Sequence, residues 1–224
     1  MGTILQLRSV SKTYREGRNE VPAVESVSLD LRRGELLLLM GPSGSGKTTL
    51  LSMMGCILRP TAGEIRIDGT VVDHLQEATL PDIRKKHFGF VFQSFNLFPS
   101  LTAAENIELL LRMKGHEKKT LRAEALRLLE KVGLSDRTDF YPADLSGGQK
   151  QRIAFARALV GDPPIILADE PTANLDSKRG REVLELLKRH AAEQNKAVAV
   201  VSHDPKAEAA ADRVIFLEDG RIKE

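Results

Sequence analysis

Cysteine is almost missing from this sequence. Cys56 is the single one among 224 residues, so no internal disulfide can form and a reducing compartment is the expected home. It lies in an apolar stretch and reads as a small buried hydrophobe. Long apolar runs are missing too. The longest candidates, Leu36–Met40 and Ala197–Val201, are strand-sized, far short of the roughly 20 residues of a membrane-spanning helix. The opening MGTILQLRSV lacks the basic segment and apolar core of a signal peptide. If the protein works at a membrane, it is expected to sit on the surface through a partner. An excess of one charge is also lacking. With 33 Lys and Arg against 31 Asp and Glu, the net charge of +2 gives no push toward nucleic acid, and no nucleic-acid partner is expected. What is present, 42% hydrophobic and 29% charged residues, suits a soluble globular chain long enough for a sizeable core.

The pattern along the chain changes twice. Val27, Leu29 and Leu31 alternate as one face of a strand; Arg32-Arg33-Gly34 turns the chain; Leu36–Met40 is continuously apolar, as a strand buried on both faces would be. A helix is expected over 48–58, stopped by Arg59-Pro60, and a short strand in EIRIDG. Residues from about 100 to 160 carry helical spacing, with Leu121, Ala125, Leu128, Leu129 and Val132 along one face and Gly115 and Gly133 as terminators. The remainder alternates again: strand 165–167, helix 177–192, strand Ala197–Val201, short helix 205–211, strand 214–217. That order marks a parallel sheet with helices on both faces.

Between the apolar strand and its helix stands GPSGSGKTT: Gly41, Pro42, Ser43, Gly44, Ser45, Gly46, Lys47, Thr48 and Thr49. This fits the phosphate-loop pattern G-x-x-x-x-G-K-[ST]. Glycines let successive backbone N–H groups converge on phosphate oxygens, and the helix that follows aims its positive end at the same point. Lys47 supplies a full charge, and the Thr48 hydroxyl suits a hard cation such as Mg²⁺. Hydrolysis needs a further magnesium-side carboxylate and a group that handles water. IILADE offers both, with Asp169 for the metal and Glu170 as general base, at the carboxyl end of a buried strand where ligands of open parallel sheets gather. Farther along, LSGGQKQR places Ser146 and Gln149 in capping-box spacing. Gly147 and Gly148 beside that cap expose N–H groups at a helix start, a second anion site that a single triphosphate does not require.

Together with Gln93 and with His203 in VVSHD, these motifs resemble, in content and in order, the nucleotide-binding domain of ATP-binding cassette (ABC) proteins, over nearly the whole chain. The resemblance implies an α/β P-loop fold: a RecA-like, largely parallel core with an N-terminal antiparallel β subdomain and an inserted helical subdomain. Residues 1–224 would be one ATPase domain, with about 1–99 and 161–224 as the core and about 100–160 helical. It implies ATP and Mg²⁺ as ligands, with Thr48, Gln93 and Asp169 on the metal side. It implies a homodimer in which the P-loop of one copy and Ser146, Gly147, Gly148, Gln149 and Asp176 of the other close on the same ATP. Gln93 would reach attacking water and His203 the γ-phosphate. Tyr14 matches the adenine-stacking aromatic, with an ordinary half-buried tyrosine as the competing reading. His74, His87, His116 and His190 fall outside the motifs and are expected on the solvated surface.

Aromatic residues are only 4% of the chain, yet five of eight phenylalanines fall between Phe88 and Phe98. They read either as a satellite core or as a groove for a partner helix. The family resemblance favours docking of an integral membrane permease between Phe92 and Leu101, at the cytoplasmic face of the inner membrane. MMGCILRPTAGEI and LADEPTANLDS are similar to ATPases of macrolide efflux, lipoprotein release and glycolipid export, for which a periplasmic adaptor and an outer-membrane channel are further candidate partners. Ala173 departs from the glycine often found before NLD in that subgroup. A regulatory ATPase acting on cell-envelope hydrolases through a membrane subunit carries the same motifs and stays open as the alternative. Lys47 and Asp169 are separated by no sustained heptads, unlike the split motifs of DNA-maintenance ATPases, and the single cassette departs from the paired cassettes of ribosome-binding factors.

Overall fold

The computed structural model describes residues 2–17, 19–72 and 77–223. His74 lies outside them. Two sheets carry the architecture. β1 (Thr3–Glu16), β2 (Asn19–Arg32), β4 (Ala62–Ile67) and β5 (Thr70–Val71) form an antiparallel sheet in the order β2-β1-β4-β5. The second sheet has the order β10-β9-β3-β8-β7-β6, from β3 (Leu36–Met40), β6 (Phe88–Val91), β7 (Ile165–Asp169), β8 (Ala197–Val201), β9 (Arg213–Glu218) and β10 (Arg221–Lys223). All its pairs are parallel except the closing β9–β10 hairpin.

β3 shows why a strand here must be apolar throughout. Leu37 and Leu39 pack toward the antiparallel sheet and α1 (Lys47–Met54), with Met53, Leu167 and Val201. Leu36, Leu38 and Met40 pack toward the helices on the other face, with Ile166 and Val200. A period-2 strand between two layers loses polar positions on both sides. The helical face holds α3 (Ala103–Met113), α4 (Leu121–Lys131), α5 (Gly147–Ala158) and α6 (Ser177–Gln194). α3 and α5 both open with complete capping boxes, Thr102 with Glu105 and Ser146 with Gln149.

Several local expectations need correction. β1 and β2 run 14 residues each, longer than the alternation suggests, because their register shifts repeatedly. Ser9 and Ser26 take left-handed backbone at φ 46° and 48°, and such bulges break the period-2 signal. The first helix stops at Met54 rather than near Leu58. A side chain on the capping Gly55 would meet the Phe90 ring, and Cys56 takes φ 54°. A helix α2 (Leu80–His87), not foreseen, precedes β6, and 205–210 is a 3₁₀ turn. Nor are three of the histidines freely solvated. His116 pairs with Glu124 at 2.7 Å; His87 is half-buried; His190 meets Phe155 edge-on at 5.7 Å, and burial pulls its pKa down to about 4. Cys56 is buried, and burial pushes its thiol up to about 12, as suits an inert packing residue.

The phenylalanine cluster divides. Phe88, Phe90 and Phe92 stack in sequence with 5.9 Å between centroids, and Phe95 and Leu97 pack on the helical core. Phe98 stays exposed beneath the Arg157 guanidinium.

Candidate functional site

Four neighbouring strands of the large sheet end at one cavity of about 570 Å³. After β3 comes the glycine-rich loop, which supplies Ser43, Gly44, Ser45, Gly46, Lys47, Thr48 and Thr49 to the wall. After β6 comes Gln93, after β7 Glu170, and after β8 His203. Parallel strands deliver their carboxyl ends to one edge, so residues over 100 positions apart converge.

The loop geometry depends on glycine at two points. Gly41 has φ 145°, and a Cβ there would lie 1.9 Å from the Leu217 carbonyl oxygen; Gly46 has φ 96°, and its Cβ would lie 2.1 Å from the Ala23 oxygen. No side chain caps α1, so its first N–H groups are not consumed by a cap and face the cavity side. Lys47 is only 7% exposed, and its ammonium donates to the carbonyls of Gly41 at 2.9 Å and Pro42 at 2.7 Å. A buried cation is thus held by neutral oxygens rather than by a carboxylate.

Thr48 Oγ1 donates to Asp169 Oδ1 at 3.1 Å. Burial raises the Asp169 pKa, while the Thr48 hydrogen bond and the Lys47 charge pull it down. Glu170 follows in left-handed backbone at φ 45°, its N–H tied to the Val201 carbonyl at 3.0 Å. An uncommon conformation at a non-glycine residue is stored strain of the kind that gathers at reactive sites. It turns the Glu170 carboxylate to His203, whose Nδ1 lies 2.8 Å from Oε1. A carboxylate only accepts, so Nδ1 carries the hydrogen in this pair.

Not every expected residue lines this cavity. Gly41, Pro42 and Asp169 stand behind its wall, bonded to Lys47 and Thr48. Tyr14 lies on β1, 40% exposed with the Lys12 ammonium 5.6 Å from its ring centre, and is not part of the lining. Ser146, Gly148 and Gln149 line a second cavity of about 310 Å³ with Arg152 and Arg179, and it shares no residue with the first. Gly147 backs on the Asn174 carbonyl and Leu175. Asp176 caps α6, accepting from the N–H groups of Lys178 and Arg179. Those bonds hold its carboxyl below the usual aspartate range. Sequence reasoning missed Ala23, which lines the first cavity, and Asn174, whose amide donates to the Gln93 carbonyl at 3.0 Å. It also gave no role to Arg152, the last residue of LSGGQKQR, and missed Arg179, which no motif announces.

The ABC transporter family model matches residues 24–173, a span from before the glycine loop to just past Glu170. The chain belongs to the ABC transporter ATP-binding family. Individual relatives agree. The ABC transporter ATP-binding protein YvrO of Bacillus subtilis is 45% identical over 219 residues, covering 98% of this chain and 95% of that protein. The macrolide export ATP-binding/permease protein MacB of Salmonella typhimurium is 43% identical over 99% of this chain, which spans only 34% of MacB. Among solved structures, the dimeric post-hydrolysis state of the cassette MJ0796 of Methanocaldococcus jannaschii, bound to ADP and Pi, superposes with a TM-score of 0.91 at 44% identity. It covers 99% of this chain and 97% of that one. The α/β cassette fold expected from the sequence is therefore the fold of this ABC domain, and nucleotide binding and ATPase activity come with the family. No helix among the described residues is long and apolar enough to cross a membrane.

Proposed function

We propose that this chain is the ATP-hydrolysing subunit of a bacterial exporter, working as two copies that sandwich two ATP molecules and move a membrane permease. The observation that carries this reading is the split between the two cavities. One gathers the phosphate loop, Gln93, Glu170 and His203; the other holds the Ser146 helix tip on a separate surface. A helix tip that faces away from its own phosphate loop can complete only another copy's site, and two-fold closure pairs both. The dimeric, nucleotide-bound MJ0796 cassette supports the arrangement.

In this reading residues 1–224 form one ATPase domain, with about 100–160 as its helical part. The loop N–H groups and Lys47 hold the β- and γ-phosphates, and Tyr14 stacks on adenine. Thr48, Asp169 and Gln93 offer oxygen donors only, a set that suits Mg²⁺ shared with phosphate oxygens. When bound, the ion would neutralise charge on the phosphates. Glu170 takes a proton from attacking water, and the His203 N–H bond holds its carboxylate in place. Ser146, Gly147, Gly148, Gln149 and Asp176 act on the partner's ATP. The permease docks between Phe92 and Leu101, where Phe98 is exposed, on the cytoplasmic face of the membrane. MacB, by name both ATP-binding protein and permease, supports a membrane partner of export type.

Glu170→Gln with Mg-ATP tests the core of this reading, by light scattering for mass and by phosphate release for turnover. Expected are a stable dimer and hydrolysis lowered about 100-fold or more, the usual worth of a general base. Near-normal turnover would remove Glu170 from its role. A strictly single chain at saturating ATP, with its membrane partner present, would remove the sandwich. Co-purification of the native complex identifies the permease.

A further inference from the structure

Gln151 is fully buried on α5, and neither its Oε1 nor its Nε2 has a hydrogen-bond partner among the described residues. Buried amides are rarely left this way, since desolvation without a bond is destabilising. A buried water or a second state in which its bonds are made would lift that penalty.

Helix geometry says where those bonds lie. Gly147, Gln151, Ala154 and Ala158 share one stripe of α5, at spacings of four, three and four. At one end of the stripe Gly147 backs on the Asn174 carbonyl and Leu175. At the other, Ala154 and Ala158 line a small cavity with Phe92 and Phe95, and Gly89 approaches Ala158. Gln151 therefore stands beneath the point where the segment after Gln93 meets the segment around Asn174. These two segments are joined there by one side-chain bond, Asn174 Nδ2 to the Gln93 carbonyl. Farther along, Arg157 Nη1 donates to the Asn96 carbonyl, again from α5. Helix α5 thus already grips the segment that carries Gln93, and Gln151 is its one buried polar group on that stripe without a bond.

We infer that Gln151 is a positioning residue whose amide bonds the main chain of the Gln93 and Asn174 segments when two copies close on ATP. The donor and acceptor of one side chain would then clamp both segments, fixing Gln93 toward its own nucleotide and Asp176 toward the partner's. The inference rests on the sandwich reading above. It predicts an opposition that simple packing does not give: removing the amide should relieve the open chain and weaken the closed one.

The test compares Gln151→Met, close in shape, and Gln151→Leu, each in the Glu170→Gln chain. The readouts are melting temperature without nucleotide, its rise with saturating Mg-ATP, and the ATP-driven dimer constant by light scattering. Expected are an unchanged or higher melting temperature without ATP, a smaller ATP-induced rise, and dimerisation weakened about tenfold or more, the scale of one or two lost hydrogen bonds. Parent-like dimerisation with a parent-like ATP-induced rise would overturn the proposal. So would a loss of melting temperature without ATP in both variants, which marks a structural amide or one bonded to buried water. If the Glu170→Gln parent itself stays single with ATP, the sandwich reading fails, a result distinct from either of these.

Discussion

α1 and α5 both begin at a turn rich in glycine, and both turn their N-terminal ends to solvent cavities, yet they are finished differently. At α1 the cap is Gly46 in left-handed backbone, with no side-chain bond to the first turn. At α5 the cap is Ser146, whose hydroxyl accepts from the Gln149 N–H while Gln149 Oε1 accepts from the Ser146 N–H at 2.8 Å. The first start leaves its backbone donors to a ligand and adds a buried lysine. The second has closed its own accounts and presents a stable, preshaped tip. One is an anion cradle complete within the chain; the other, in the proposed dimer, is a finished surface that would add to a site already filled. That division suits the proposed ATP-gated dimer, in which binding to one chain would precede contact with the next.

The difference should be largest at Lys47. Lys47→Ala removes a charge-assisted contact and should weaken ATP binding to the single chain roughly 10- to 100-fold, as read by isothermal titration of the separated chain. Equal binding by wild type and variant would mean that the backbone cradle alone holds the triphosphate, and that the lysine serves only to tie Gly41 and Pro42 together.

Ser146→Ala sharpens the comparison from the other side. Loss of a capping serine costs about 1 kcal/mol, or roughly 2–4 °C in melting temperature for a domain of this size. Thr102→Ala on α3 removes an equivalent capping box and should cost the same. Only Ser146→Ala should also weaken the ATP-driven dimer, with binding of ATP by the separated chain unchanged. If the two variants dimerise equally well, the Ser146 tip is a helix start and nothing more.

How much of this was legible beforehand follows from what each part depends on. The cavity residues were readable because strand ends and glycine loops leave local signatures: Lys47, Glu170 and His203 each sit at a boundary between an apolar run and a helix or turn. β1 and β2 were legible only in part, since their bulges at Ser9 and Ser26 erase alternation. Ala23 was not legible at all, and Asn174 only as a member of LADEPTANLDS, without its bond to Gln93. Ala23 reaches the site because β2 passes close to Gly46 from another sheet, and Asn174 because its amide spans to Gln93. Both are long-range facts of packing with no trace in local sequence. His190 misled for the same reason: its spacing on α6 shows polarity but not the Phe155 ring against which it is pressed.

His190 also gives the smallest expected effect, and a control remote from both helix starts. Burial lowers its pKa from 6.5 to about 4, helped by the Lys196 charge and opposed by Asp162. The folded state therefore keeps the imidazole neutral where the unfolded chain would bind a proton. By linkage, its contribution is present above about pH 6.5 and is lost progressively as pH falls toward 4. Glu105, Glu124, Asp139 and Asp176 have lowered pKa values, so their own contributions begin to fade only as pH reaches the ordinary carboxylate range and are lost in stronger acid. Between about pH 7 and pH 5 the fall is then shared by His190 and His87, whose pKa burial also lowers, while Asp169, raised by burial, works against it. His190→Leu should flatten the fall in melting temperature across that window while leaving ATP binding and dimerisation as they were. An identical fall in both proteins would place the proton elsewhere, and a change in dimerisation would mean that the far end of α5 communicates with its Ser146 tip.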